Sequence, residues 1–543
     1  MKFRVERDPL GDVRVPADAY YGAQTQRAVD NFPISGLTAP PELVVATVQI
    51  KKAAAEANGA LGRLPSDIAG AIIRAADEVL AGALRDQFVV DIYQAGAGTS
   101  HNMNANEVLA NRASEILGGA RGEYTRVHPN DHVNMGQSTN DVYPTATRIA
   151  VLSMVEPLVE SATALGNGLE EKSRAFAHVL KTGRTHLQDA VPITLGQEFS
   201  GYAANVRHAA GRTALASTEL LELNLGATAV GTGLNAGDDY AARAIANLAA
   251  YTGLPVRPAD NRFRVTQSMG DVLAFSGALR RLAVEVCKVA SDLRLLSMGP
   301  RAGIAEIQLP PVQPGSSIMP GKVNPSVPEM VNQVCFQVIG CDAAILAAAD
   351  AGQLELNVMM PVIAWNALHA TRILTQAMRV LQTRCVADIR ADEDRCRALL
   401  DRSTALATAL SPYIGYAATA EIAKASIQTG RPIRDLVRER TLLTDAQLDA
   451  ILSPENMTEP GVPGAVTSKS EPGVPGQNTH ENTAKTRTRA GRLHPGGGRS
   501  GGTAHTSLPA GRSGGARATG SGRVAAAGQD HGRAGGGGRK RRR

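Results

Sequence analysis

Little in this sequence is aromatic. Phe, Tyr and Trp together make up 3% of 543 residues, with a single tryptophan, Trp365, although 43% of the chain is hydrophobic. A core with few rings must be built from Ala, Leu, Val and Ile, which favours closely packed helices over sheets. Cysteine is scarce as well. Cys287, Cys335, Cys341, Cys385 and Cys396 are odd in number and form no CxxC pair. That excludes a disulfide framework and a zinc site, and points to reduced thiols in the cytoplasm. No continuous apolar run of about 18 residues is present, so no membrane span is expected. The opening "MKFRVERDPLGDVRVP" lacks the apolar segment of a secretory signal.

What is present is unevenly distributed. The formal charge is +6. Residues 458–543 carry 15 Lys and Arg against 4 Asp and Glu, leaving 42 basic and 47 acidic residues elsewhere. A mildly acidic body therefore precedes a basic tail, and the overall charge says nothing about the ligand of the body. After Pro460 there is no Ile, Phe, Tyr, Trp, Met or Cys, "EPGVPG" occurs at 459 and again at 471, and the chain closes with "RKRRR". Such a composition buries too little apolar surface to offset ordering, so this tail is expected to be disordered. With no aromatics among its arginines, any binding to anionic surfaces is expected to be nonspecific.

The middle of the chain carries apolar residues three and four apart. Leu279, Leu282, Val286, Val289, Leu293 and Leu296 form one stripe; Val331, Val334, Val338, Cys341, Ile345 and Ala348 form another. Phe199, Tyr202, Val206 and Ala209 continue in register to Leu220 and Leu223, and Leu152, Val155, Val159, Ala162 and Leu169 make a fourth. Each reads as one face of a long bundled helix. In "CDAAILAAADAGQLELNV" alanine occupies most faces, so that helix is expected to be surrounded, and an oligomer sharing a helical core follows.

Between these helices lie polar, glycine-containing blocks: "GAGTSHNMN" (96–104), "HPNDHVNMGQSTND" (128–141), "TGRTHLQDAVP" (182–192) and "GSSIMPGKVNP" (315–325). They sit at helix boundaries, where unpaired N–H groups and positive dipole ends suit carboxylates. The last block is not a phosphate loop: five residues separate Gly315 from Gly321, and Val323 follows the lysine. Its chemistry suits a carboxylate, held by the charge of Lys322 and the amide of Asn324. Ser316 serves as a base or nucleophile only where nearby donors stabilise its alkoxide; otherwise the block is a turn. His128 and His132 flank Asp131 at metal-ligand spacing, but no third ligand lies nearby, and a structural role is preferred.

These four blocks, in this order, resemble those of the fumarase/aspartase superfamily, and the resemblance runs from about residue 5 to about 463. It implies an all-α, three-domain lyase. A mostly helical N-terminal domain spans 1–139, a central long-helix bundle 140–394, a small C-terminal helical domain 395–457, and the tail 458–543. It implies a homotetramer with a shared twenty-helix core and active sites built from three subunits. The reaction implied is an anti-elimination through an aci-carboxylate, with Ser316 as general base. Thr99, Ser138, Thr139 and Ser317 would hold the carboxylate that becomes dianionic, and Lys322, Asn324 and Thr185 the other one. Asn140 and His186 would face the leaving group, and Glu329 would pair with His186. Ser138 and Thr185 also fit plain helix caps, and Glu329 a plain helix-start acid. No cofactor or bound metal is implied, although a divalent metal activates some aspartases.

Within the superfamily the aspartase branch fits better. Thr139 in "QSTND" stands where fumarases usually show a second serine, and "GAGTS", "NQVCFQVIG", "AGQLELNV" and "LSPENMTEPGVPG" are aspartase-like. The expectation is removal of ammonia from L-aspartate to give fumarate. The alternative is a class II fumarase, interconverting L-malate and fumarate. Retention of Ser316, Lys322, Asn324 and His186 argues against a non-catalytic descendant. Gly136, where Ser is frequent, and Met360, where aspartases usually carry Glu, depart from the pattern.

Overall fold

The computed structural model describes residues 2–465. Strands β1 (Phe3–Asp8) and β2 (Gly11–Pro16) pair antiparallel and lead into helices α1 (Ala23–Asn31), α2 (Pro41–Ala60), α3 (Ser66–Leu80) and α4 (Thr99–Ile116). Next come α5 (Thr139–Ala175), an antiparallel hairpin of β3 (Leu180–Thr185) and β4 (Gln188–Thr194), and α6 (Leu195–Ser217). Strand β5 (Glu222–Leu223) pairs in parallel with β6 (Arg257–Pro258) across α7 (Asp238–Thr252). Then follow α8 (Arg262–Gln267), α9 (Gly270–Leu296), β7 (Ile307–Gln308), α10 (Ser326–Asp350), α11 (Met360–Arg384) and β8 (Arg390–Ala391), which pairs with β7. Helices α12 (Glu393–Arg402), α13 (Ser411–Thr429), α14 (Ile433–Glu439) and α15 (Asp445–Ile451) finish the fold.

The long helices close a ring: α5 packs on α6 and α11, α6 on α9, α9 on α10, and α10 on α11. The apolar stripes face its inside. Leu279, Leu282, Val286, Val289, Leu293 and Leu296 are all buried, as are Phe199, Tyr202, Val206 and Ala209. Leu220 and Leu223 are buried too, but outside the helix to which the spacing assigned them. α6 ends at Ser217, and they sit in a 3-10 turn and in β5. A second apolar cluster, with Val44, Val48, Ile72 and Leu109, lies among α2, α3 and α4, and a third, with Leu410, Ile422, Val437 and Leu448, in the last helices.

Helix α5 contains Pro144, which lacks the N–H that Asn140 C=O would accept one turn earlier. Asn224 Nδ2 donates to that carbonyl instead, at 3.2 Å, so the helix passes through the proline. The five cysteines are free thiols.

Two helices, Thr139–Ala175 and Ser326–Asp350, are long and apolar enough by length and composition to cross a membrane, although polar residues interrupt both. More than half of the apolar window of α5 is buried inside the fold. In α10, Asp342 is buried and paired with Arg280 at 2.6 Å. The outer face of α10 leaves Phe336, Ile339 and Leu346 exposed.

The first residues of the stretch read as a tail are placed against the body. Gln197 Nε2 donates to Thr458 O at 2.9 Å and Tyr413 Oη to Pro463 O at 2.7 Å. The rest of that stretch, with its basic cluster, lies outside the described residues.

Candidate active site

The first block reaches its place through a turn that few residues could make. Ala97 N–H donates to Val358 O at 2.8 Å. Gly98 adopts φ +84°, and a Cβ there would lie 2.1 Å from the Tyr143 ring. Only glycine satisfies both the left-handed backbone and the close approach. Thr99 then opens α4, exposed, its Oγ1 donating to Gly96 O at 3.3 Å.

The second block opens α5 alongside. Ser138 is the N-cap: its Oγ accepts from Asn140 N–H at 3.2 Å, and its own N–H donates to Asp141 Oδ1 at 2.9 Å, a reciprocal capping box. The cap assignment is thus correct for Ser138 and leaves its hydroxyl hydrogen free to donate. Thr139 Oγ1 accepts from Asn102 Nδ2 of α4 at 3.2 Å, which ties the two helix starts together. Asn140 Nδ2 donates to Ala229 O at 2.8 Å, which fixes the amide and leaves Oδ1 as an acceptor toward solvent.

Beneath these starts lies a polar layer that sequence reading missed, buried at Lys51, Asn102, Asn106 and Asp141 and half-buried at Asn134 and Gln137. Lys51 Nζ donates to Asn134 Oδ1 at 2.9 Å and Gln137 Oε1 at 2.8 Å. Asn134 Oδ1 also accepts from Asn102 and Asn106, both at 3.2 Å. Asp141 Oδ2 accepts from Gly226 N–H at 3.0 Å and Thr228 N–H at 2.9 Å. Burial lowers the Lys51 ammonium to about 7, against the raising pull of Asp141, and lifts the Asp141 carboxyl to about 6 despite its N–H donors. His101, hydrogen-bonded through Nε2 to Thr47 Oγ1 at 3.0 Å, is held down at about 4 by burial and by the nearby Lys51 charge. A signal existed for Lys51: it falls in register with Val44, Val48 and Ala55, a charge on an apolar face.

The third block is the tip of the β3–β4 hairpin. Thr185 pairs with Gln188 across a two-residue turn, and His186 and Leu187 take φ of 55° and 60°. Both are left-handed, as a type I′ turn requires. Thr185 and His186 are exposed. Thr185 ends a strand and caps no helix.

The fourth block folds on itself. Gly315 N–H donates to Lys322 O at 2.8 Å, and Asn324 Nδ2 donates to Gly315 O at 2.7 Å. A Cβ on Gly315 would lie 2.5 Å from Lys322 O and 2.7 Å from Asn324 N. Ser316 Oγ accepts from two backbone N–H groups, Met319 at 3.0 Å and Ile318 at 3.2 Å. Two N–H donors aimed at one hydroxyl oxygen would stabilise negative charge there, and they also close a tight serine turn. Ser317 and Lys322 are exposed, and Lys322 has no ion-pair partner among the described residues. Glu329 lies half-buried in the first turn of α10.

One chain therefore brings the predicted residues into three groups: Thr99 with Ser138, Thr139 and Asn140; Thr185 with His186; and Ser316, Ser317, Lys322 and Asn324, followed by Glu329. Among the described residues no hydrogen bond or ion pair joins one group to another, and Glu329 makes no pair with His186 within the chain. His128 and His132 serve their own turn: His132 Nδ1 accepts from His128 N–H at 3.0 Å, and His128 Nδ1 from Asn130 and Asp131 N–H. No cluster of three or more His, Cys, Asp or Glu suited to a metal occurs among the described residues. Gly136 sits left-handed at φ +71° under the ring of Tyr240, and Met360 is fully buried, where a carboxylate would need a partner.

A family model described as a lyase matches residues 11–340, and one described as the fumarase C C-terminus matches residues 406–459. The aspartate ammonia-lyase of Pseudomonas aeruginosa is 52% identical over 460 residues, covering 84% of this chain and 97% of that protein. The crystal structure of a fumarate lyase:delta crystallin from Brucella melitensis bound to cobalt superposes with a TM-score of 0.81 at 50% identity, over 84% of this chain and all of that one. The class II fumarase of Schistosoma mansoni gives a TM-score of 0.82 at 38% identity, again over 84% of this chain and all of that one.

Proposed function

The chain belongs to the fumarase/aspartase superfamily, and from that premise we propose that it is a carbon–nitrogen lyase that eliminates ammonia from L-aspartate to give fumarate. One observation carries the substrate: 52% identity along nearly the whole length of a curated aspartate ammonia-lyase, against 38% to the class II fumarase.

In this reading Ser316 removes a proton from the carbon beside one carboxylate, which becomes dianionic. The Cα–N bond then breaks, and the electron pair leaves with the amine. Thr99, Ser138, Thr139 and Ser317 hold the dianionic end by donors placed in advance, where they act most strongly in the transition state. Lys322, Asn324 and Thr185 hold the other carboxylate. The fixed amide of Asn140 presents Oδ1 to the amine, and His186 faces the same group with Glu329 as its partner. The two N–H donors on Ser316 Oγ support the base assignment. The steps need no cofactor; activation by a divalent metal would appear as a rate difference with and without chelator.

The exposure of Thr99, Thr185, His186, Ser317 and Lys322, with at least one in each group, and of the apolar face of α10, supports a homotetramer in which groups from three subunits close one site. Reduced thiols suit the cytoplasm. The test is direct: the purified protein is mixed with L-aspartate or L-malate and fumarate absorbance is followed. Fast turnover of L-aspartate is expected. Turnover of L-malate alone would replace this reading with the hydratase.

A further inference from the structure

Among the described residues the hairpin that carries Thr185 and His186 pairs with no third strand, and a two-stranded hairpin is marginal by itself. Its turn places two side-chain-bearing residues in left-handed backbone, which sterics disfavour. The hairpin is tied down by a buried carboxylate. Arg184 donates Nη2 to Glu306 Oε1 at 2.9 Å and Nη1 to Glu306 Oε2 at 3.0 Å. Lys181 Nζ lies 3.1 Å from Glu306 Oε2 and 2.7 Å from Glu198 Oε2. The side chain of Glu306 is wholly buried, and that of Lys181 nearly so.

The local backbone is arranged for this contact. The strand register shifts between Thr182 and Arg184, and such an irregularity re-aims the next side chain. Glu306 is itself anchored: its N–H donates to Leu296 O and its C=O accepts from Asp392 N–H, both at 2.9 Å. The tie therefore runs from the end of α9 through Glu306 to the residue directly before Thr185. A buried ion cluster is a poor stabiliser compared with apolar packing. A two-pronged guanidinium–carboxylate pair does, however, set orientation as well as distance.

We propose that Arg184 and Glu306 are positioning residues, whose pair sets the height and pitch of the hairpin tip so that Thr185 and His186 meet the substrate correctly; this rests on the roles given to those two residues above. Arg184→Lys keeps the charge and loses the fork. Glu306→Gln keeps the shape and loses the charge. In each, KM for L-aspartate per folded site rises about tenfold or more, with a smaller fall in kcat, because a carboxylate ligand is misplaced. Arg184→Met raises KM further, and Arg184→Lys recovers part of that loss. Lys181→Met, which cuts the other arm and spares the fork, changes KM less than about threefold.

The variants are compared in their native assembly, with thermal unfolding in parallel. A lowered Tm with unchanged KM and kcat in Arg184→Lys and Glu306→Gln would overturn the proposal and leave a merely structural pair. If Arg184→Met fails to fold, these two milder variants decide. If the wild type takes L-malate and not L-aspartate, the substrate reading falls, and the same KM comparison on L-malate still decides this one.

Discussion

The loop at 315–325 and the paired helix starts at 99 and 138 carry similar hydroxyls and amides, yet the chain holds them in opposite ways. The helix starts rest on a polar floor. Asn102 ties them together, and Lys51, Asn134, Gln137 and Asp141 fill the space beneath. The loop rests on little but itself. Its bonds run from Gly315 to Lys322 and Asn324, and Ser316 takes its donors from the next turn of the same loop. Within the described residues the helix starts are braced by tertiary contacts, while the loop is braced mainly by its own backbone. The same enzyme thus contains residues whose loss should cost chemistry alone and residues whose loss should cost folding.

The sharpest way to break this contrast is Ser316→Ala. Turnover should fall by about a thousandfold or more, while Tm changes little, because Oγ bonds only to exposed N–H groups of its own loop. Residual activity near wild type in a steady-state assay would remove the base. Next is acidity at the floor. Burial holds the His101 imidazole at about 4, below its ordinary 6.5, so between those values the unfolded chain binds a proton that the folded chain does not. The stability from this group is complete above pH 6.5 and is lost as pH falls toward 4, on the order of 3 kcal/mol. Urea unfolding of His101→Leu across that window should show a flatter slope than wild type; equal slopes would sink the assignment.

A smaller effect is expected from Asn134→Leu, which strips the acceptor from three donors. It should destabilise by about 2 kcal/mol in denaturant titrations and lower kcat as the helix starts shift. An unchanged midpoint would mean that the floor carries no load. The smallest effect lies at the hairpin tip. Leu187 is exposed in left-handed backbone, so Leu187→Gly should stabilise by about 0.5–1 kcal/mol, read as a small rise in Tm.

The same contrast explains what could be read from the residues beforehand. The loop stood out because Ser316, Lys322 and Asn324 fall within one turn-forming stretch, and only its resemblance, with three other blocks in order, to a known family set it apart from a plain turn. The long helices were legible because Leu279 to Leu296 repeat at helical spacing over many turns. The floor was not. His101 and Asn134 look like ordinary polar residues until α2, α4 and the loop before α5 are folded together. Glu306 finds Arg184 more than a hundred residues away. Such pairings are properties of tertiary contact, which periodicity does not encode. Leu220 and Leu223 mark the other limit: apolar spacing continued past Ser217, but the helix did not, because spacing reports which residues face inward and says nothing of where a chain turns.

Gly315 has a hereditary consequence. A carbon in place of its hydrogen would collide with the main chain at Lys322 and Asn324, and every amino acid reachable from a glycine codon by one base change brings that carbon. Ser316 is thus guarded from both sides: by what it is, and by a neighbour for which the genetic code offers no near substitute. Any substitution at Gly315 is therefore expected to push apart the two ends of the loop while leaving the helical body intact.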